Sequence, residues 1–172
     1  MVVWLIGMSG SGKTTVGRLL YEKAKRRYQN TVFLDGDALR EIWGDNLGHT
    51  IEDRKKNADR ICALCMFLDE QGINVISTVL SIFHEAQEWN RKKYSKYYEV
   101  YLKVPLEELI RRDSKGLYGK ALRGEMKNVV GIDIKFPVPK KSDLVIKNYS
   151  KKTIKKASEE IWNKIKNRFN GK

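Results

Sequence analysis

Val2, Val3, Trp4, Leu5 and Ile6 run without a polar residue into Gly7-Met8-Ser9-Gly10-Ser11-Gly12-Lys13-Thr14, and residues 15–28 then carry Val16, Leu19, Leu20 and Ala24 at helical spacing. A buried strand, a glycine-rich turn and an amphipathic helix in that order constrain the fold more than any other stretch. The glycines let the backbone turn sharply, so that several N–H groups converge on one anion, and the helix N-terminus adds partial positive charge. The octapeptide satisfies G-x-x-x-x-G-K-[ST] at every position. In that pattern the lysine bridges the outer phosphates of a nucleotide and the hydroxyl holds Mg2+, so Lys13 and Thr14 are predicted in those roles.

The rest of the chain repeats the alternation. Thr31, Val32, Phe33 and Leu34 read as a second strand running into Asp35-Gly36-Asp37, and a short helix is expected over 38–43. Residues 44–50 are polar and glycine-containing and read as a loop. A longer helix is expected over 52–70, ended by Gly72, with a third strand over 73–77. Residues 77–83 are expected to leave the sheet. A helix over 85–93, a strand over 98–104 and a helix over 106–112 opened by Pro105 come next. Residues 113–141 are rich in Gly, Lys and Pro, with a helical piece near 117–123. They read as a mobile lid of limited regular structure, placed at about 112–139. A last strand is expected over 143–146, and Ser150 is expected to cap the terminal helix.

This is the pattern of an α/β protein: a parallel sheet of the P-loop NTPase type, flanked by helices, with a mobile lid. At 172 residues, with no linker or repeat, the chain reads as one domain over 1–172. Ligands of such sheets lie at the carboxyl ends of the strands, so the loop, residues 35–37 and residues 77–81 should share one cleft.

The net charge of +13, from 34 basic and 21 acidic residues, favours an anionic ligand and makes a nucleic-acid binder a legitimate rival. Against it, the lysines of 151–172 alternate with Ile154, Ile161, Trp162, Ile165 and Phe169 at helical spacing, as on a solvated face. No aromatic-and-basic stacking motif is apparent, so nucleic acid is the disfavoured partner. The N-terminal apolar run is too short for a signal peptide or a membrane span, which predicts a cytoplasmic chain with no membrane partner. Cys62 and Cys65 have redox-pair or half-zinc spacing, but no second pair exists and His49 and His84 lack ligand spacing. Lying among Ile61, Leu64, Phe67 and Leu68, the two read as buried thiols.

Asp35 closes an apolar strand and Asp37 lies two residues on. One would orient Mg2+ and the other accept a proton from an attacking hydroxyl; spacing alone leaves the division open. Arg54, Asn57 and Arg60 share a helix face and, with Arg40, suit an anionic, hydrogen-bonding second substrate. The plainer alternative is a surface network with Glu52, Asp53 and Asp59. The lid carries Arg111, Arg112, Lys115, Lys120, Arg123 and Lys127, punctuated by Gly116, Gly119, Gly124 and Gly131. Its closure would exclude water and neutralise a transferring phosphoryl group; a disordered basic loop is the alternative.

Taken together, residues 7–15, Leu34-Asp35-Gly36-Asp37 with Arg40, and Asp53-Arg54 with Asn57 and Arg60 resemble adenylylsulfate kinases. So do Arg112-Asp113-Ser114-Lys115-Gly116-Leu117-Tyr118, Gly124-Glu125-Met126-Lys127-Asn128, Gly131-Ile132-Asp133 and Ser142-Asp143-Leu144-Val145-Ile146, in the family's order over nearly the whole chain. The resemblance implies an ATP-dependent kinase, with Mg2+, acting on the ribose 3′-hydroxyl of a small nucleotide conjugate. It assigns ATP to Gly7, Ser9, Gly10, Ser11, Gly12, Lys13, Thr14 and Thr15, with Arg112 from the lid, and Mg2+ to Thr14 and Asp37. Catalysis would fall to Asp35, as the base, with Lys13 and Asp37. The acceptor would meet Asp35, Asp37, Arg40, His49, Arg54, Asn57, Leu80 and Ser81, and from the lid Lys115, Gly116, Leu117, Lys127 and Val129. Ser81 matches a serine that the family signature marks as a phosphoserine, a role that direct in-line transfer does not need. A homodimer stays open as its assembly.

The departures lie in the base pocket. The family clamps adenine between two phenylalanines, one five residues before the arginine of the Asp-Arg pair and one after the Lys-Asn pair. Here these positions are His49 and Val129. The Phe-Ile-Ser-Pro stretch of the family becomes Val79-Leu80-Ser81-Ile82. Phe136 is a candidate for one remaining aromatic wall. A related branch phosphorylates cytidine diphosphoramidate, a donor of phosphoramidate groups for bacterial capsules, and the altered pocket suits that branch. The rivals are an adenylylsulfate kinase with an unusual pocket, a kinase for a small metabolite such as a sugar acid, and a basic nucleic-acid binder.

Overall fold

A computed structural model describes residues 1–44, 47–113, 115–147 and 151–169. Its centre is β1 (Val2–Ile6), where every residue is buried. Side chains alternate across a strand, so Val3 and Leu5 enter one apolar layer while Val2, Trp4 and Ile6 enter another. An unbroken apolar run is thus the signature of a strand covered on both faces.

The sheet is parallel, in the order β2-β3-β1-β4-β5, built from β1, β2 (Thr31–Asp35), β3 (Asn74–Val79), β4 (Tyr97–Lys103) and β5 (Leu144–Lys147). One face is covered by α1 (Lys13–Arg27), through Val16, Leu20 and Ala24, and by α7 (Lys151–Ile165), through Ala157, Ile161 and Ile165. Burying a side chain the size of Leu20 or Ile161 contributes about 1.5–3 kcal/mol. Phe169 is buried beside them, and Ile154 and Trp162 pack on the same layer, as the helical spacing predicts. The expected cap at Ser150 lies outside the described residues.

On the other face lie α2 (Gly36–Ile42), α3 (Ile51–Glu70) and α4 (His84–Lys93). Cys62 and Cys65 are free and buried in this layer, as expected. Burial pushes the Cys62 thiol up to about 11 and Cys65 higher still.

One sequence expectation fails. Residues 78 and 79 do not leave the sheet: β3 runs through Val79, with Thr78 paired to Asp35 across the strands. A threonine hydroxyl at the end of an apolar run looks like a strand exit, but here it faces a carboxylate. The stretch after β4 carries the two helices expected of it, with one bridge besides. It holds α5 (Leu106–Arg112), α6 (Leu117–Leu122) and a bridge between Val130 and Ile134. Met8, Val104, Leu109, Tyr118 and Val129 form a third apolar cluster that joins this region to the glycine-rich loop.

Among the described residues, no helix is long and apolar enough to cross a membrane.

Candidate active site

The carboxyl ends of β1, β2 and β3 open into a cavity of about 1020 Å3, at the upper end of small-molecule sites. The loop after β1 forms its floor. Gly7 lines no wall, but it has to be glycine: a Cβ there would stand 2.5 Å from Ser11 Oγ and 2.9 Å from the Leu102 carbonyl. Ser11 is likewise buried beneath the loop. Ser9, Gly10, Gly12, Lys13, Thr14 and Thr15 face the cavity. Lys13 Nζ donates to the Met8 carbonyl at 2.9 Å. Burial pushes its ammonium down to about 8, against the pull of Asp37 and Asp35, and an incoming phosphate would raise it again.

Asp35 caps α2. Its Oδ1 accepts from the amides of Asp37 at 3.0 Å and Ala38 at 3.3 Å. Its Oδ2 accepts from Thr14 Oγ1 at 2.7 Å and Thr78 Oγ1 at 2.8 Å. Burial raises this carboxyl's pKa, but the four donors outweigh it and hold the group below its ordinary value. Asp37 points outward and pairs with Lys115 Nζ of the lid at 2.9 Å, which raises the lysine's pKa.

One side of the cavity is cationic. Arg40 donates to the carbonyls of Leu47 and Gly48, and Arg54 donates to those of His49 at 2.9 Å and Asn128 at 2.7 Å. Arg54 thereby ties α3 to the stretch that carries Asn128. Asn57 Oδ1 is buried without a hydrogen-bond partner among the described residues, an acceptor facing a cavity that a ligand N–H or O–H would satisfy. Arg60 turns away from the cavity and lies 5.8 Å above the Trp43 ring.

Residues of α5, α6 and 126–130 form the far wall. Tyr118 is buried and its hydroxyl donates to the Ser9 carbonyl at 2.9 Å. Arg112, Lys115, Leu117, Lys127 and Val129 line the cavity, as do Leu80 and Ser81 from the turn after β3. Gly116 does not line it; with φ of 63° it serves as the left-handed N-cap of α6. Ser114 lies outside the described residues.

Glycine loop, paired aspartates, arginine pair and residues from α5 to Val130 thus share one cavity, and comparison with known proteins agrees with what they imply. The adenylylsulphate kinase family model matches residues 1–147. The chain belongs to the adenylylsulfate kinase family.

Across the family, this chain is 46% identical over 167 residues to a cytidine diphosphoramidate kinase of Campylobacter jejuni, covering 95% of each. It is 38% identical over 145 residues to a probable adenylyl-sulfate kinase of Archaeoglobus fulgidus, covering 84% of this chain and 94% of the relative. The solved structure of the Mycobacterium tuberculosis APS kinase CysC in complex with AMPPNP and APS matches with a TM-score of 0.85 at 31% identity, over 96% of both chains. The protein is therefore an ATP-dependent kinase of this family.

Where adenylylsulfate kinases are expected to carry phenylalanines, His49 and Val129 border the cavity. Burial, then Arg54 and Arg40, hold the His49 imidazole below its ordinary pKa. Phe136 is not the missing wall. It stacks on Tyr101, with centroids 5.9 Å apart, and does not line the cavity. The aromatic residues that do line it include Trp4 and Phe83. Neither was singled out from sequence: Trp4 reads as an ordinary core residue of β1, and Phe83 ends the stretch expected to leave the sheet. Thr78 was missed for the same reason, although a hydroxyl at a strand's carboxyl end beside the aspartate strand is a readable signal. Glu108 was also missed; it accepts from Arg112 Nε at 2.8 Å and orients that cation.

Proposed function

We propose that this kinase transfers the terminal phosphoryl group of MgATP to the ribose 3′-hydroxyl of a nucleotide conjugate, with cytidine diphosphoramidate as its preferred acceptor. The observation that carries the choice of base is the pair His49 and Val129 bordering the cavity. Neither residue gives a purine the stacking that a phenylalanine would, worth on the order of 1 kcal/mol per face. A smaller pyrimidine needs less clamp, and a neutral imidazole has both a donor and an acceptor for a polar base edge. The 46% identity to a relative named for that substrate supports the same reading.

Within this reading Lys13 and the loop amides hold the ATP phosphates, with Arg112 above them. Asp35, kept ionised by its four donors, orients the 3′-hydroxyl and takes its proton. Arg40, Arg54, Asn57 and Lys127 hold the conjugate, and Lys115 moves from Asp37 to phosphate as the lid settles. The residues fit Mg2+, an ion that takes few protein ligands and completes its shell with phosphates and waters. Thr14 and Asp37 stand at the loop mouth, and among the described residues no cluster of three or more carboxylate, histidine or cysteine ligands competes for the ion. When bound, Mg2+ neutralises charge on the transferring phosphoryl group.

Adenylylsulfate is the second reading. Phe83 lines the same cavity and has an aromatic face to offer a purine. The deciding experiment compares kcat/KM for the two conjugates under identical MgATP, with the phosphorylated position read by NMR. Preference for cytidine diphosphoramidate, shifted toward adenylylsulfate by His49→Phe, is the expected result. A clear preference of the wild type for adenylylsulfate would overturn the choice of base.

A further inference from the structure

Ser81 sits at the turn after β3 with φ of 51°, a backbone conformation that a non-glycine residue adopts at a cost. Two buried side chains hold it there. Trp4 Nε1 lies 3.3 Å from Ser81 Oγ; Gln87 Nε2 lies 3.2 Å from Ser81 Oγ and 3.2 Å from the Ser81 carbonyl. Trp4 is 2% exposed and Gln87 6%.

The proton directions follow from chemistry. An indole N–H can only donate, so Ser81 Oγ accepts from Trp4. A carbonyl can only accept, so the Gln87 group facing the Ser81 carbonyl is the NH2 end, and that end donates to Oγ as well. A hydroxyl has two lone pairs and one proton. Both lone pairs are therefore taken, and no acceptor for the proton is found among the described residues, while Ser81 borders the cavity.

We propose that Trp4 and Gln87 are positioning residues that fix the Ser81 hydroxyl, a group the family resemblance already places against the acceptor, as a hydrogen-bond donor to an oxygen or ring nitrogen of the nucleotide conjugate. The inference rests on the reading of this cavity as the conjugate's site. It also separates binding from relay. An oxygen accepting from two donors, with no carboxylate or imidazole bonded to it, is a poor nucleophile, so Ser81 holds the acceptor and carries no phosphoryl group.

The test is steady-state kinetics of Ser81→Ala, Gln87→Leu and the double variant, with cytidine diphosphoramidate and with adenylylsulfate, following ATP and acceptor separately. Ser81→Ala should raise the KM of the preferred conjugate about tenfold, the worth of one good hydrogen bond, with the KM for ATP unchanged. Gln87→Leu frees the hydroxyl to rotate and should raise the same KM several-fold. In the Ser81→Ala background it should add nothing, because the group it aims is gone. A purely structural role for Gln87 would move ATP and acceptor alike and add fully to Ser81→Ala, which would overturn the proposal. So would an acceptor KM left unchanged by Ser81→Ala, a variant that tests the idea even if Gln87→Leu fails to fold. Phosphate on Ser81 in intact mass spectra after incubation with MgATP would overturn the relay argument. Wild type that turns over neither conjugate would overturn the reading of the cavity and this inference together; turnover with unmoved variants would overturn the inference alone.

Discussion

Gly17 lies in the middle of α1, where alanine is favoured over glycine by about 1 kcal/mol. The structure forbids that gain. A Cβ at residue 17 would stand 2.5 Å from Thr78 Cγ2 and 2.9 Å from Phe33 Cε2. Neither neighbour yields cheaply: Thr78 is 2% exposed with its hydroxyl 2.8 Å from Asp35, and the Phe33 ring is held between Tyr21 and the Arg18 guanidinium. Overpacking of this kind costs about 1–3 kcal/mol, and a 2.5 Å contact belongs in the upper half of that range. Net of the helix gain, Gly17→Ala should lose about 1–2 kcal/mol, or roughly 2–8 °C in Tm. Relief comes either by lifting α1, which draws Thr14 from Asp35, or by turning Thr78, which breaks its bond to the same carboxylate. ATP turnover should therefore fall along with stability. Thermal melts and kinetics of Gly17→Ala, Thr78→Ser and the double variant make the assay. Thr78→Ser deletes Cγ2 and keeps the hydroxyl, so it should recover about half of the Gly17→Ala penalty or more, a coupling of 0.5 kcal/mol or above on the scale of touching residues (about 0.5–3). A Gly17→Ala protein as stable as wild type, or a penalty that Thr78→Ser does not touch, would refute the packing argument.

Asp35→Asn should fold, since asparagine caps helices as well as aspartate, but should lose on the order of a hundredfold or more in kcat as the proton acceptor goes; Asp37→Asn should be milder, and the reverse order in kcat would exchange the two roles. His49 is held below its ordinary pKa, so it is neutral at pH 7. The unfolded chain takes up a proton near about pH 6.5 before the folded one does, so stability should fall as pH drops below that value, and acceptor affinity should fall only at lower pH, where the folded imidazole itself takes up a proton; the fall in Tm and the rise in KM should both vanish in His49→Asn. Hydrogen exchange over 112–139 should slow when MgATP and conjugate bind together, and an unchanged rate would mean that the region does not move as a lid.

The frame of this fold was legible because its signals are local. An unbroken apolar run means a strand covered on both faces, and the loop pattern fixes the strand, turn and helix around it. The base-pocket detail was less legible because it depends on direction. Arg54 and Arg60 share a helix period, yet Arg54 reaches the lid while Arg60 lies over Trp43. Phe136 sits in the right stretch of chain, but Tyr101 offers its ring a partner away from the cavity. Gln87 reaches the cavity only through Ser81, and a role of that kind leaves no spacing to read.

The same geometry explains how a base pocket can change while the rest of the kinase stays recognisable. Arg54 brackets the two sides of that pocket through the carbonyls of His49 and Asn128, and Asp133 accepts from the amides of Asn128 and Val129. The carbonyls are supplied by every residue type, and the amides by every type but proline. The separation between residues 49 and 129 is therefore set without reference to their side chains, and phenylalanine, histidine or valine at either position meets the same backbone frame. The two positions are not equally free, however. His49 lies in an open turn, whereas Val129 is 2% exposed and packs with Met8, Leu109 and Tyr118 beside the glycine-rich loop. A larger ring at 129 has to displace that cluster, at about 1–3 kcal/mol, and the cluster is what seats the lid on the ATP loop. A change of base preference is thus cheap at position 49, while at position 129 it is coupled to lid closure and to ATP.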